Sequence, residues 1–357
     1  MYTKEEKAEI WLDSFHLDYG KKARLYQLAK HPLELARRFS SLRSEIEKIV
    51  GDAMCNALAS SLETSEYVNG LMQTYAEKRI RCVSFSSPLY PELLRQIPDS
   101  PFVLYCRGKA ELLHERKFAI VGSRRTLPQI LRTAERYARD LSPYFSIVTG
   151  IADGGDSAVI AGALASGKLI SVLAYGFDYV YPECNRVLLE KVEKQGLVLT
   201  EHLPDEAPRS FLFPARNRII AGLSEGVLVI SGGEKSGTRI TADYAYSYGR
   251  DVFAFPYSLG VESGIGCNAI LKEYAKLTDN LVDIADAFGI NLTEAEEVLL
   301  TGAELAVYNS LKDGEAHISE IAERTGLKQH EISSVLMLLE MKKLAAPCGG
   351  NRWAAVK

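Results

Sequence analysis

Residues 118–126 have the sequence Phe-Ala-Ile-Val-Gly-Ser-Arg-Arg-Thr. An apolar run ends at Gly122, and an amphipathic stretch follows from Pro128 to Leu141. This order predicts a buried strand, a tight turn and a helix. Free backbone N–H groups at the start of such a helix, together with its dipole, favour an anion above the strand end. Arg124 and Arg125 lie at the same place and strengthen that prediction.

The same stretch lacks the two common phosphate-binding signatures. It contains a single glycine, so it does not match the G-x-G-x-x-G fingerprint of dinucleotide-binding domains. It also lacks the G-K-[ST] ending of a P-loop. Gly122 taken alone predicts no more than a turn at a strand end, so the anion site depends on what the other strand ends carry.

Length and composition describe an ordinary soluble protein. The chain has 357 residues, enough for two or three domains, of which 47% are apolar and 25% charged. Its formal net charge is −4, so a nucleic-acid partner would require basic residues concentrated in one groove. The N-terminal segment is not that of a signal peptide, and no apolar run approaches the ~20 residues of a membrane span. We therefore expect a cytoplasmic protein.

Cysteines and histidines give no sign of a metal site. The six cysteines form no C-x-x-C pair, and the six histidines form no H-x-x-x-H pair or mixed cluster. Scattered cysteines are typical of reduced thiols in a cytoplasmic protein. We expect neither a metal nor another cofactor.

The first 80 residues are predicted to form a small helical domain, because apolar residues recur there at helical spacing. A module of the SAM or helix-hairpin-helix type would bind phosphate through a glycine-bearing turn, for which Tyr19-Gly20-Lys21-Lys22 is the available candidate. The segment carries 12 basic and 12 acidic residues. Because this single turn is weak support for phosphate binding, the alternative of a domain that only packs is favoured.

Residues 81–288 predict an α/β domain with a Rossmann-like, doubly wound parallel sheet. Proline-punctuated extended pieces lead in from 80 to 109, and apolar runs then alternate with helical patterns. Uninterrupted apolar runs are typical of parallel strands covered on both faces. The predicted strands are 118–121, 146–149, 169–174, 197–200, 227–230 and 252–255. Ligands of such sheets bind beyond the carboxyl ends of the strands.

Several of these strand ends carry glycines and small hydroxyl residues, and two basic elements accompany them. Four strand ends that all offer small residues or free amides predict a surface shaped for an extended polyanion. The candidates are Gly122, Ser123 and Arg124, Gly150, Lys168 just before its strand, the Arg216-Asn217-Arg218 element that opens a helix, and Ser236, Gly237 and Thr238.

Residues 296–357 predict a winged-helix domain. Helical patterns at 303–311, 318–325 and 329–342 precede a wing at 344–356. This region carries 7 basic and 9 acidic residues, which is the wrong balance for a strong DNA clamp. We expect it to contact a protein or to modulate activity.

Six motifs occur in the order and spacing of the DNA-processing protein A (DprA/Smf) family. The chain resembles this family over nearly its whole length, and most strongly from 118 to 268. The motifs are IVGSR at 120–124, TGIADGGD at 149–156, GKLISVL at 167–173, YPECN at 181–185, FPARNRIIAGLS at 213–224 and SGTRITA at 236–242.

The resemblance implies a non-enzymatic protein of natural transformation. Such a protein binds single-stranded DNA that enters the cell, protects it and helps to load the RecA recombinase, and its Rossmann-like domains pair as a homodimer. Arg124 and Lys168 would then bind phosphates, and one of Arg216 and Arg218 would face the groove while the other braces it. Backbone amides at Ser123, Gly150 and Gly237 would hold phosphates without reading sequence.

Two aromatic residues and five departures from the family pattern qualify this expectation. Tyr175 or Phe177 is a candidate for stacking a base, with core packing as the alternative. Asp153 stands where the family usually has arginine, which removes a positive charge near the groove. The other departures are Gly155 for an aliphatic residue, Ile160 for a histidine, Ser231 for an acidic residue and Tyr257 for a glycine.

Two other functions are compatible with parts of the sequence. Residues 232–238 resemble the glycine-rich loop of Rossmann-like nucleoside-monophosphate phosphoribohydrolases, but Thr241 stands where the required glutamate is expected, with Asp243 beyond it. A winged-helix transcription regulator with a ligand-sensing Rossmann domain is the second. It would require sequence-specific duplex binding by the acidic tail.

Overall fold

A computed structural model describes residues 2–63, 66–292, 300, 302–312, 314–342 and 344–356. The chain divides into two compact units, Met1–Ile290 and Asn291–Lys357. No helix within the described ranges has the length and apolar character needed to cross a membrane. The boundaries of three domains at 1–80, 81–288 and 296–357 stay a prediction.

The first unit begins with helices that share a core of their own. Thr3 caps the first helix in a capping box with Glu6, and Asp18 caps the second. Tyr19–Lys22 forms the first turn of that second helix, so it is not the hairpin turn that a helix-hairpin-helix module requires. The helices are α1 (Lys4–Asp13), α2 (Tyr19–Ala29), α3 (Pro32–Arg37), α4 (Phe39–Val50), α5 (Asp52–Glu63) and α6 (Tyr67–Glu77). Their buried core includes Trp11, Leu25, Leu35, Ile46 and Leu58.

Buried carboxylates connect this helical region to the sheet. The Asp13 carboxylate accepts hydrogen bonds from the Tyr105 hydroxyl at 2.8 Å and from Lys22 Nζ at 2.6 Å. Glu9 accepts from the backbone N–H and the hydroxyl of Ser86 at 2.9 and 2.7 Å. Because both carboxylates are buried, these bonds fix the helices against the sheet.

A nine-stranded sheet in the described part of the chain confirms the predicted Rossmann-like α/β fold. Its strand order is β1-β2-β6-β5-β4-β3-β7-β8-β9, and β3 to β9 run parallel. The predicted lead-in supplies β1 and β2, which pair antiparallel with each other, and β2 also pairs antiparallel with β6. The strands are β1 (Arg81–Ser84), β2 (Val103–Gly108), β3 (Lys117–Val121), β4 (Ser146–Thr149), β5 (Leu169–Val172), β6 (Leu197–Thr200), β7 (Gly226–Val229), β8 (Asp251–Ala254) and β9 (Lys276–Leu277).

The helices between the strands cover both faces of the sheet. From β3 the chain moves outward through α8, α9 and α10 to β6, and from β7 it moves the other way through α12 to β8. Right-handed crossovers therefore place these two helix groups on opposite faces, and the strand order reverses between β3 and β7. The helices are α7 (Glu92–Arg95), α8 (Pro128–Leu141), α9 (Gly155–Leu164), α10 (Arg186–Gln195), α11 (Leu212–Leu223), α12 (Gly237–Ser247), α13 (Ile265–Glu273) and α14 (Val282–Ala287).

The second unit has the predicted winged-helix architecture. Its helices are α15 (Gly302–Ser310), α16 (Ile318–Thr325) and α17 (Gln329–Met341). A three-stranded sheet with the order β10-β12-β11 forms the wing from β10 (Ala316–His317), β11 (Ala345–Gly349) and β12 (Arg352–Ala355). Gly326 ends α16 with φ = 70°, the left-handed conformation that glycine adopts easily. The unit has its own core, which includes Val307, Ile321, Ile332, Leu336 and Leu339.

Candidate functional site

A cleft of about 410 Å³ lies where the strand order reverses, beyond the carboxyl ends of β3 and β7. We call it the strand-end cleft. It brings together eight of the eleven predicted site residues: Gly122, Ser123, Arg124, Arg216, Asn217, Ser236, Gly237 and Thr238. The other lining residues are Val121, Ala152, Asp156, Phe213, Pro214, Ile220 and Thr241.

Two glycines make the turn above β3 possible. A Cβ on Gly122 would lie 2.7 Å from the Ile230 side chain and 2.8 Å from Gly155 Cα. A Cβ on Gly155 would lie 2.5 Å from Gly122 Cα. The start of α9 therefore packs directly on the turn, and the glycine at 155 suits this backbone better than an aliphatic residue would.

Hydroxyl groups hold the next residues of the turn in place. The Ser123 N–H donates to Ser231 Oγ at 3.0 Å, and the Thr126 hydroxyl donates to the Ser123 carbonyl at 2.9 Å. Ser231 is fully buried, so this departure from the family pattern anchors the turn from below. The turn positions Arg124, whose side chain is exposed at the cleft and forms no ion pair with any residue that the structure describes.

The opposite wall is the N-terminus of α12. Ser236 is its N-cap, and the Ser236 hydroxyl lies 2.7 Å from the Thr238 hydroxyl. Asn217 Nδ2 donates to the Gly237 carbonyl at 3.0 Å, which joins α11 to the start of α12. The first N–H groups of α12 have no partner within the helix, and its dipole adds positive potential at this wall.

Arg216 forms the floor of the cleft and is held by protein atoms. It is only 6% exposed, its Nε donates to Asn217 Oδ1 at 3.2 Å, and its Nη1 donates to the Val172 carbonyl. Burial lowers the pKa of Arg216, and the charge of Asp156 opposes that effect. Burial likewise raises the pKa of Asp156, against the charge of Arg216 and the N–H group of Ala152. The two buried charges largely offset each other.

Gly150 lies beneath the cleft, beside this pair. A Cβ there would lie 2.4 Å from Asp156 Oδ2 and 2.9 Å from Arg216 Nη1. Its predicted position near the site is therefore explained by packing: a side chain at 150 would displace the buried charges. The exposed charge at the cleft is that of Arg124, and the available backbone donors are the first N–H groups of α12, because Ser231 already accepts from the Ser123 N–H.

Two predicted basic residues lie outside the cleft. Lys168 precedes β5, so it lies at the amino edge of the sheet, where its Nζ binds Glu115 at 3.0 Å. Arg218 projects from the other side of α11, because residues two apart on a helix point in nearly opposite directions. It pairs with Glu201 at 2.7 Å and with Asp99 at 2.9 Å. Neither side chain lines the strand-end cleft, and Arg218 fits the bracing role predicted for one of the two arginines.

The two aromatic candidates for base stacking are both buried. Tyr175 donates its hydroxyl to the Tyr181 carbonyl at 2.7 Å, and the Arg107 guanidinium lies 4.4 Å from the Phe177 ring. The alternative of core packing describes them correctly. Phe213 lines the cleft instead and packs against the partly exposed Tyr181 with ring centroids 5.4 Å apart.

Comparison with known proteins places most of the chain in one family. Residues 81–289 match the model of the family described as DNA recombination-mediator protein A. Residues 293–351 match a model described as the DprA winged helix domain.

Curated relatives and solved structures agree with those matches. The DNA processing protein DprA of Streptococcus pneumoniae is 40% identical over 200 residues, which cover 56% of this chain and 71% of that one. The Bacillus subtilis protein of the same name is 36% identical over 68% of this chain and 84% of its own. The X-ray structure of the S. pneumoniae protein superposes with a TM-score of 0.64 and 32% identity over 78% of this chain and 97% of that one. A Helicobacter pylori DNA processing protein A structure, described for its single-stranded DNA binding mode, has a TM-score of 0.54 at 29% identity, covering 58% of this chain and 95% of that one.

Proposed function

Because this chain belongs to the DNA recombination-mediator protein A family, as its motifs predict, we propose that the strand-end cleft binds the backbone of single-stranded DNA. One observation carries the proposal. Arg124 is an exposed guanidinium without an ion-pair partner among the described residues, and it lines the cleft together with the N-terminus of α12, whose first backbone N–H groups have no partner within the helix.

The chemistry of the cleft suits phosphate better than bases. A guanidinium forms two parallel hydrogen bonds to phosphate oxygens, and backbone N–H groups add donors that carry no sequence information. Hydroxyls of Ser123, Ser236 and Thr238 add further polar contacts. Phe213 at the rim offers an aromatic face, which supports stacking without sequence preference. We infer binding that is strong at low salt and tolerant of sequence.

The finer function follows the family resemblance. We propose that this cytoplasmic protein acts in natural transformation, protects incoming single strands and helps to load RecA onto them. We also propose that it works as a homodimer through its Rossmann-like domain and makes or breaks no covalent bond.

The phosphoribohydrolase alternative requires a free carboxylate at an N-glycosidic bond. Among the described residues that line the cleft, Asp156 is the one carboxylate, and it is buried beside Arg216. Thr241 donates its hydroxyl to the Gly237 carbonyl at 3.3 Å, while the exposed Asp243 lies near Arg239 and accepts from the Tyr274 hydroxyl. Incubation with AMP should release no adenine, and clear turnover would overturn the assignment as a binding protein.

The decisive experiment compares Arg124→Gln with Lys168→Gln in titrations of oligo-dT at several salt concentrations. Arg124→Gln should weaken binding by at least about threefold at about 0.2 M salt and make the slope of log K against log salt shallower by about 0.7, the value for one phosphate contact. Lys168→Gln removes the same charge at the opposite edge of the sheet and should bind like the parent. Equal affinities for the parent and Arg124→Gln would contradict the proposal.

A further inference from the structure

The turn and helix that follow Arg124 carry an unusual concentration of arginine. Residues 122–139 contain five arginines and one acidic residue, Glu135, in a protein whose formal net charge is −4. Beyond Arg124 they are Arg125, Arg132, Arg136 and Arg139, and we call these four the arginine strip.

Three of the four arginines of the strip form one exposed face of α8. Arg132, Arg136 and Arg139 are separated by four and three residues, which places them side by side on a helix, and all three are exposed. The opposite face of α8 buries Ala134, Tyr137, Ala138 and Leu141. The helix is therefore fixed with its arginines outward, over an axial length of about 10 Å.

Most of this charge is not neutralised within the protein. Arg125, Arg132 and Arg136 form no ion pair with any residue in the described ranges, whereas Arg139 Nε lies 3.2 Å from Asp140. Like-charged neighbours on a helix repel each other and destabilise it slightly. A face with this composition weakens the fold unless a polyanion lies on it.

The strip is continuous with the strand-end cleft. Arg125 directly follows Arg124, and α8 begins three residues later at Pro128. The intervening turn is fixed, because the Thr126 hydroxyl donates to the Ser123 carbonyl at 2.9 Å. A polynucleotide that leaves the cleft past Arg124 therefore meets Arg125 and then the exposed face of α8.

We propose that the arginine strip is a second segment of the nucleic-acid path, which binds the phosphates of a single strand after it leaves the cleft. This inference rests on the proposed function of the cleft and extends it. The partner is a single-stranded polynucleotide longer than the cleft can hold, bound through phosphates and independent of sequence.

Oligonucleotides of two lengths test the strip. The variant Arg132→Gln with Arg136→Gln is titrated with oligo-dT of about 5 and about 20 nucleotides, lengths chosen around the site sizes of known single-strand-binding folds. For the long strand, two lost phosphate contacts predict an affinity about tenfold lower at about 0.2 M salt and a salt slope shallower by about 1.4. The short strand should bind like the parent.

Two further variants make the test specific. Lys191→Gln with Lys194→Gln removes two exposed charges from α10, whose lysines do not line the cleft, and should leave both affinities unchanged. Glu135→Gln removes the acidic residue of the strip and should strengthen binding of the long strand, a gain that misfolding cannot produce.

Three results would contradict the proposal for the arginine strip. The double arginine variant could bind the long strand like the parent, its affinity could fall equally for both lengths, or the α10 control could lose as much affinity as the double arginine variant. The proposed function of the cleft is tested separately, with Arg124→Gln. If Arg124→Gln alone leaves binding unchanged, the proposed function fails. If Arg124→Gln weakens binding while the double arginine variant does not, only the strip fails.

Discussion

Gly122 and Gly155 meet across the turn above β3 with no side chain between them. Because a Cβ on Gly155 would come within 2.5 Å of Gly122 Cα, even a methyl group requires the backbone to move. Gly237 differs, since the nearest atom to its added Cβ is Asn217 Nδ2 at 3.7 Å. The two glycines therefore serve packing, whereas Gly237 leaves the mouth of the cleft open.

Gly155→Ala is expected to lower the free energy of unfolding by about 1–3 kcal/mol, the usual cost of overpacking. Gly237→Ala is the matched control and should stay close to the parent. Urea unfolding followed by circular dichroism measures both. A Gly155→Ala variant as stable as the parent would mean that the turn relaxes easily.

Lys117 provides a test by pH. It is 6% exposed at the start of β3, and burial lowers its pKa to about 8, against the charges of Glu225 and Glu115. The folded state therefore binds fewer protons than the unfolded state between about pH 8 and the ordinary lysine pKa of about 10.4. This lysine makes stability rise with pH across that window. Lys117→Met should remove up to about 3 kcal/mol of that rise, measured as the difference between parent and variant in urea unfolding at pH 7 and pH 10. If the unfolding free energies of the parent and the variant changed equally between pH 7 and pH 10, this prediction would be contradicted.

Residue types were easier to predict from the sequence than their surroundings. The glycine and hydroxyl pattern located Gly122, Ser123 and Ser236 at the cleft, because turns and helix starts depend on local sequence. Arg124 and Lys168 looked alike in sequence, yet only Arg124 follows its strand. A charge just before a parallel strand lies at the wrong edge of the sheet.

At the scale of elements, α11 carries two arginines with different surroundings. Arg216 is buried at the floor of the cleft, and Arg218 forms ion pairs outside it. Arg216 and Arg218 are two residues apart, so the helix directs one to the cleft floor and the other to Glu201 and Asp99. The sequence predicted that one arginine would face the groove and one would brace it. It could not assign them, because the carboxylate partners come from distant segments.

Arg218→Leu should lower the free energy of unfolding by about 2 kcal/mol, because it leaves Glu201 and Asp99 without their shared cation. This expected loss of unfolding free energy is smaller than that for a fully buried ion pair, because Asp99 is partly exposed. Arg186→Leu breaks an exposed pair with Glu183 and should leave stability close to that of the parent. Equal effects in thermal unfolding would show that burial does not set the difference.

At the scale of the molecule, the central parallel strands were predictable and the edge of the sheet was not. Long apolar runs identified β3 to β8, because strands covered on both faces must be apolar throughout. The pieces that form β1 and β2 are short and lie among prolines, so the sequence indicated extended chain without showing that they pair with each other or that β2 pairs with β6. Tyr105 on β2 also binds Asp13, which ties the helical region to this edge.

Truncation tests how the parts depend on each other. A fragment of residues 1–290 keeps every contact of the first unit and should bind oligo-dT with the parent's affinity and salt slope. A fragment that begins at residue 81 loses Asp13 and Glu9 and exposes the buried Tyr105, so it should unfold at lower urea or aggregate. Loss of binding by the longer fragment would assign the winged-helix unit a direct role with DNA.

The bond from the Ser123 N–H to Ser231 Oγ joins residues 108 positions apart, and it closes the turn on which Arg124 sits. During synthesis, more than a hundred residues must therefore follow Arg124 before this turn can close. Until β7 pairs with β3, the Arg124 guanidinium is present but the turn that positions it is not yet formed. We therefore expect binding of single-stranded DNA to be among the last properties to return on dilution from denaturant. It should recover later than the helical circular dichroism signal.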